Sequence, residues 1–179
     1  LREVSTRLNA LGRFSETFYR LGGDEFAFLS SGLTETAAVS RAREISDSIS
    51  KPYTINNQLI KIATCVGIVL SDNERRSDYL YKFADLALYE AKKEGSQQIK
   101  VFRQRMLQKL QESRTLENDM ARAIENDEFV VYYQPIVNSV SKEIYGYEAL
   151  IRWMHPVKGM LSPDSFIFAE KRPDQRRYH

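Results

Sequence analysis

Between Arg103 and Asp127 the chain runs for 25 residues without a glycine or a proline. The stretch is rich in strong helix formers, so it predicts one long helix that divides the sequence into a part before it and a part after it. Its apolar positions come in two sets, Met106 with Leu110, then Leu116, Met120 and Ala123. Leu110 and Leu116 are six residues apart rather than seven, which puts the sets out of phase, so the helix should change packing partners along its length. Met106 and Leu110 point towards the preceding part.

In that preceding part, Leu1, Val4, Leu8 and Leu11 recur at helical spacing. Thr17 to Arg20 and Glu25 to Leu29 are aromatic-rich strand candidates around Gly22-Gly23-Asp24, and read as a β-hairpin with glycines at its tip. A second amphipathic helix is expected over 34–50, with Ala38, Ala42, Ile45 and Ile49 on one face, Thr34 as N-cap and Pro52 beyond its end. Tyr53 to Ile55 and Leu59 to Leu70 read as strands around Asn56-Asn57, and the apolar stretch Cys65 to Leu70 suggests a buried central strand. A third helix over 77–93 carries Leu80, Ala84, Ala87 and Ala91 on one face and is closed by Gly95, before a short strand from Ile99 to Phe102. Beyond the long helix, Phe129 to Tyr133 and Ile144 to Trp153 read as strands and Pro163 to Glu170 as the start of a helix. Helices interspersed with strands make the chain α/β (α+β).

Composition narrows the function classes. Hydrophobic residues at 42% and charged residues at 28% suit a globular chain and exclude disordered, collagenous and disulfide-framework classes. The net charge of +2 arises in the last nine residues, where Lys171, Arg172, Arg176 and Arg177 outnumber Asp174. With no basic face before residue 171, nucleic-acid binding is not expected. Cys65 is alone and cannot form an internal disulfide, which suits a reducing, cytoplasmic setting. No apolar run approaches the roughly 20 residues that span a bilayer, so no membrane segment is expected in this stretch, and a membrane tether elsewhere in a parent protein stays open. The chain opens without Met and directly in a helical pattern, from which a further amino-terminal part is expected.

RLGGDEFAFL sets two carboxylates directly after two glycines at a strand turn. Backbone without Cβ atoms lets phosphate oxygens and metal ions come close, which suits Mg-nucleotide chemistry. Taken alone, a Gly-Gly-Asp turn is also just a hairpin. The surroundings carry more: RFSETFYRLGGDEF, then ATCVGIVL, then ADLALYEAKKEG stand in that order over about a hundred residues. Together they resemble the GGDEF (diguanylate cyclase-like) family, with its inhibitory RxxD motif, signature, central strand and ADxALYxAKxxG helix. The resemblance implies that Asp24 is a metal-binding carboxylate and candidate base, and that Glu25 helps hold Mg²⁺ or Mn²⁺. It further implies that Gly22 and Gly23 admit the nucleotide and that Lys92 contacts phosphate, although Lys92 alone reads as a solvated helix lysine. Arg13 and Glu16 match the inhibitory, allosteric motif, where the Arg would grip product phosphates. Glu16 stands where the family has Asp, and the extra methylene displaces the carboxylate, so product feedback is expected to be weakened. Ser96 stands where the family usually has a phosphate-binding Arg, and the family's opening strand, with its other metal-binding Asp, does not appear before Leu1.

The second half carries a second resemblance. FVVYYQPI, YEALIRW, HP and SPDSFI in order are similar to the opening of EAL (cyclic di-GMP phosphodiesterase-like) domains, which are (β/α) barrels with functional residues at strand ends. By that resemblance Glu148 is the first metal ligand, Arg152 binds a substrate phosphate and Gln134 lies near the substrate. From alternation alone, Glu148 reads equally as an outward-facing strand residue. His155 and Trp153 read as structural. The similarity stops at Glu170, and KRPDQRRYH follows as a frameshift, or a premature stop after a short foreign tail, would leave it.

The two resemblances imply this organisation: 1–102 the carboxyl-terminal part of a palm-like GGDEF domain with a central sheet, 103–127 a linker helix, 128–170 the amino-terminal part of an EAL barrel, and 171–179 a basic tail. The expected parent is a bacterial cyclic di-GMP signalling protein, making the dinucleotide from two GTP, hydrolysing it to linear pGpG, or both. This chain alone is expected to be inactive. The alternative is a degenerate, non-catalytic sensor or interaction module. The family's cyclases bring two GTP-bound domains together, so a homodimer is among the expected partners.

Overall fold

The computed structural model describes residues 1–71 and 77–167. The expected helix residues 168–170 and the basic tail lie outside the described residues. The chain divides into two compact units, Leu1–Met106 and from Leu107 onward.

The first unit is mixed α/β. It runs α1 (Arg2–Leu11), β1 (Glu16–Gly22), β2 (Glu25–Ser30), α2 (Glu35–Ser50), β3 (Tyr53–Ile55), β4 (Gln58–Ile60), β5 (Val66–Ile68), α3 (Ser77–Lys93) and β6 (Ile99–Val101). Thr34 caps α2 by accepting from the Ala37 amide at 3.3 Å, as its place before the helix predicts. Asn56 and Asn57, with φ of 50° and 62°, make the tight turn between β3 and β4. The buried set includes Leu8, Ala42, Ile49, Tyr53, Leu86, Ala87, Ala91, Phe102 and Met106. Phe83 stacks on Phe102 with ring centroids 4.2 Å apart.

The stretch Leu59 to Leu70 is not one strand. Gln58–Ile60 turns back on β3, whereas Val66–Ile68 pairs in parallel with β6, so two ladders with different partners divide it. Among the described residues the expected central sheet therefore takes the form of three two-stranded ladders. The expected buried central strand is half-buried, because among the described residues β5 pairs with β6 alone. Helices α2 and α3 also support it, and α3 packs so closely that a Cβ at Gly67 would collide with the Ala84 carbonyl and the Leu88 amide. Ala87 and Ala91, wholly buried, are small enough to allow that approach.

The second unit begins within α4 (Gln104–Glu125) and continues through β7 (Phe129–Val137), β8 (Ile144–His155), β9 (Gly159–Leu161) and α5 (Pro163–Phe166). The expectation that the helix leans on the preceding part holds for the buried Met106; from Leu107 the helix belongs to the second unit. The reason is the size of its second apolar set: Leu116 and Ala123 join Trp153 and Phe166 in a buried cluster, flanked by Met120, Phe129, Ile151 and Leu161. Trp153 meets Phe129 at 5.5 Å and Phe166 edge-on at 5.6 Å, and its indole N–H donates to Glu128 at 2.8 Å. Strands β7, β8 and β9 form an antiparallel sheet in that order. The turns joining them are short, whereas a parallel neighbour needs a crossover of a dozen residues or more. Strand β9 went unforeseen, since three residues are too few to show a period.

Candidate functional sites

At the glycine hairpin, β1 and β2 pair from Glu16↔Ser30 to Arg20↔Phe26, and the register then slips so that Gly22 faces Glu25. The slip tightens the tip. Gly23 takes φ 52°, a left-handed conformation that costs other residues more. The Arg20 guanidinium donates through Nε at 3.2 Å and Nη2 at 2.8 Å to the Gly23 carbonyl and fixes the turn from within β1. Nothing lies within 4 Å of where a Cβ on Gly22 or Gly23 would stand, so the approach to the tip is open. Asp24 is exposed there and Glu25 is half-buried. Lys92 sits exposed in the last turn of α3, a helix packed on β5 and β6, so the structure places it on a separate element from the tip.

Arg13 and Glu16 flank the start of β1, and an unforeseen residue holds Glu16. Arg41 of α2 donates Nε to Glu16 Oε1 at 2.9 Å and Nη2 to Oε2 at 2.6 Å, with both side chains 3% exposed or less. The Arg13 amide adds a third donor at 3.0 Å. The Arg41 hydrogen bonds are the largest cause holding the Glu16 carboxyl below its ordinary value, against burial, which pushes it up. Glu44 Oε2 then lies 2.8 Å from Arg13 Nη2 and 2.8 Å from Arg41 Nη1. The second contact is an ion pair without hydrogen-bond alignment, which leaves Nη1 without a hydrogen-bond partner among the described residues. The signal in the sequence was Arg41 and Glu44 at i,i+3 on α2, with Arg41 beside the apolar Ala42.

In the second unit, Glu148 lies directly opposite Gln134, and both are exposed. Ile151 and Trp153 belong to the core, so alternation along β8 puts Glu148, Leu150 and Arg152 on the opposite face. Glu148 thus stands as an outward-facing strand residue, away from the buried cluster and on one surface with Gln134 and Arg152. The Arg152 guanidinium stands 6.0 Å from the ring centre of Tyr132, on the same face. His155, 7% exposed, accepts from the Val157 and Lys158 amides through Nδ1 at 3.1 and 3.2 Å, and its Nε2 is 3.4 Å from Asp119. Those contacts shape the turn after β8 and leave its ring no valence for a metal. A cleft of about 280 Å³ beside it, lined by Asp119, Arg122, Asn126, Glu128 and Pro156, contains none of the residues nominated from the sequence.

Among the described residues no three His, Cys, Asp or Glu side chains converge as a ready metal site. Asp24 and Glu25 are adjacent carboxylates at the open tip, a donor set compatible with a divalent cation that takes its other ligands from phosphate oxygens and water.

Residues 1–98 match the family described as Diguanylate cyclase, GGDEF domain, and residues 117–174 match the EAL domain. The chain belongs to the GGDEF family, and an EAL opening follows in the same chain. It is 36% identical over 174 residues to the bifunctional diguanylate cyclase/cyclic di-GMP phosphodiesterase MucR of Pseudomonas aeruginosa, covering 96% of this chain and 25% of MucR. The chain thus spans about a quarter of the length of the curated relatives it matches. Among solved structures, it is similar to the GGDEF domain of TpbB (YfiN) from Pseudomonas aeruginosa, at 29% identity and TM-score 0.55, with 62% of this chain and 66% of that one covered. The S helix-GGDEF-EAL structure of Vibrio cholerae LapD covers 93% of this chain and 39% of its own, and at 20% identity and TM-score 0.52 it shares the fold.

Proposed function

We propose that this chain is part of a bacterial cyclic di-GMP signalling protein, whose GGDEF portion condenses two GTP and whose EAL portion hydrolyses the product to linear pGpG. The observation that carries this is the succession of a GGDEF match and an EAL match in one chain, each with its signature carboxylate present: Asp24 and Glu25 in the first, Glu148 in the second. Bound Mg²⁺ or Mn²⁺ would neutralise triphosphate charge and stabilise the entering and leaving oxygens. This chain's own part is to present Asp24 and Glu25 at an open tip, with Gly22 and Gly23 keeping the approach free. Asp24 would accept the proton of the attacking 3′-hydroxyl, and Lys92 would contact phosphate. On β8, Glu148 would hold a metal while Arg152 and Gln134 meet the substrate from the same face. The chain spans about a quarter of its relatives' length, and we expect it to be inactive by itself, with catalysis requiring partners outside it, including a second GTP-bound domain.

A second reading, a degenerate, non-catalytic sensor or interaction module, is favoured by Ser96 in place of the family's Arg. An exchange experiment separates the two. Residues 1–98 replace the matching segment of MucR, and cyclase activity is measured with GTP and Mg²⁺. The enzymatic reading predicts activity that Asp24→Ala abolishes; a well-folded chimera without cyclase activity would favour the sensor.

A further inference from the structure

Arg13, Glu44, Arg41 and Glu16 form an alternating series of two cations and two anions, each bridged to the next. At its inner end Arg41 and Glu16 are buried and serve to tie α2 to β1. At its outer end Arg13 is 60% exposed and Glu44 48%, so Arg13 is accessible to a ligand while already paired with a carboxylate. We infer that Glu44 is a built-in competitor for the phosphodiester that Arg13 would otherwise hold, so that this surface binds itself in place of a cyclic dinucleotide. The inference rests on the reading of Arg13 and Glu16 as counterparts of the inhibitory pair.

Two physical effects act together. An exposed ion pair is weak, so its own strength would delay a ligand little. A fixed carboxylate within contact of Arg13 also repels an incoming phosphate. Such repulsion is screened by salt. Glu16 is poorly placed to compensate by accepting from a guanine edge, because its side chain is 3% exposed and its carboxylate is turned inward onto Arg41 and the Arg13 amide.

The test is calorimetry on the full chain at low salt with two probes, cyclic di-GMP and inorganic pyrophosphate. Glu44→Ala should tighten cyclic di-GMP binding by about tenfold or more, equivalent to about 1.4 kcal/mol. The gain should shrink at 0.15 M salt, where the screening length is about 8 Å, and should vanish when Arg13→Ala is added. Glu44 lies on an exposed helix face where Ala is well tolerated, and the near-isosteric Glu44→Gln serves if the first variant melts early. A gain for pyrophosphate alone supports the competition by Glu44 and rules against a cyclic dinucleotide as the occupant. No gain with either probe in a variant that melts like the wild type, or a gain that survives Arg13→Ala, would overturn the inference.

Discussion

Among the described residues of the first unit the wholly buried side chains are alanines, Ala87 and Ala91, and guanidinium groups join elements of that unit. Arg41 ties α2 to β1 through Glu16, Arg103 pairs with Glu35 at the start of α2, and Arg7 donates to the carbonyls of Ser48, Lys51 and Pro52 at its end while lying 3.9 Å over the Tyr53 ring. In the second unit a single indole does that work: Trp153 gathers α4, β7, α5 and Glu128 around one aromatic cluster. The contrast extends to the candidate sites. One carboxylate pair stands on a hairpin tip, where the backbone itself opens the approach, while Glu148 stands mid-strand on a sheet face, where cross-strand neighbours supply the partners. Charge-made joints should therefore respond to pH, and the aromatic cluster to volume.

Trp153→Ala breaks the comparison hardest on one side. Truncating a buried Trp costs about 3 to 5 kcal/mol, and hydrogen exchange should accelerate throughout β7, β8 and β9 while β1 and β2 keep their protection. Acceleration of equal size in both units would mean that their cores are not separate.

Arg41→Met acts on the other side, and its expected cost is about 3 kcal/mol because it strands a buried carboxylate. The sign of its pH dependence is the sharper readout. In the wild type the Glu16 carboxyl is held below its ordinary value of 4.5, so its contribution is present above that pH and is lost as pH falls through the lower folded value. Without Arg41, burial pushes the carboxyl up, so the variant should gain stability as pH falls through the raised value. Denaturant melts of the first unit between about pH 3 and 7 with parallel slopes for the two proteins would show that Arg41 does not govern Glu16.

Much of this was legible in the residues. The helices α1, α2, α3 and α4 follow from apolar spacing and breakers, and the hairpin from its glycines. The stretch Leu59 to Leu70 misled because a β-branched run has the same look whether it joins one ladder or two, and only pairing with β3 and β6 separates them. Similarly, Arg41 lies 25 residues from Glu16, and its i,i+3 spacing to Glu44 marks a charged pair on α2 without naming the distant partner. The face of Glu148 could be assigned only once Trp153 and Ile151 were seen to pack.

The claim at the centre of this account is that the open glycine tip, with Asp24 and Glu25, is where this chain meets a metal-bound nucleotide. Paramagnetic broadening of backbone amide resonances by Mn²⁺ in the presence of GTP reads that contact directly in the full chain. The account predicts broadening concentrated at Gly22, Gly23, Asp24 and Glu25 and lost in Asp24→Ala. Broadening that spares the tip, or that persists there unchanged in Asp24→Ala, would contradict it.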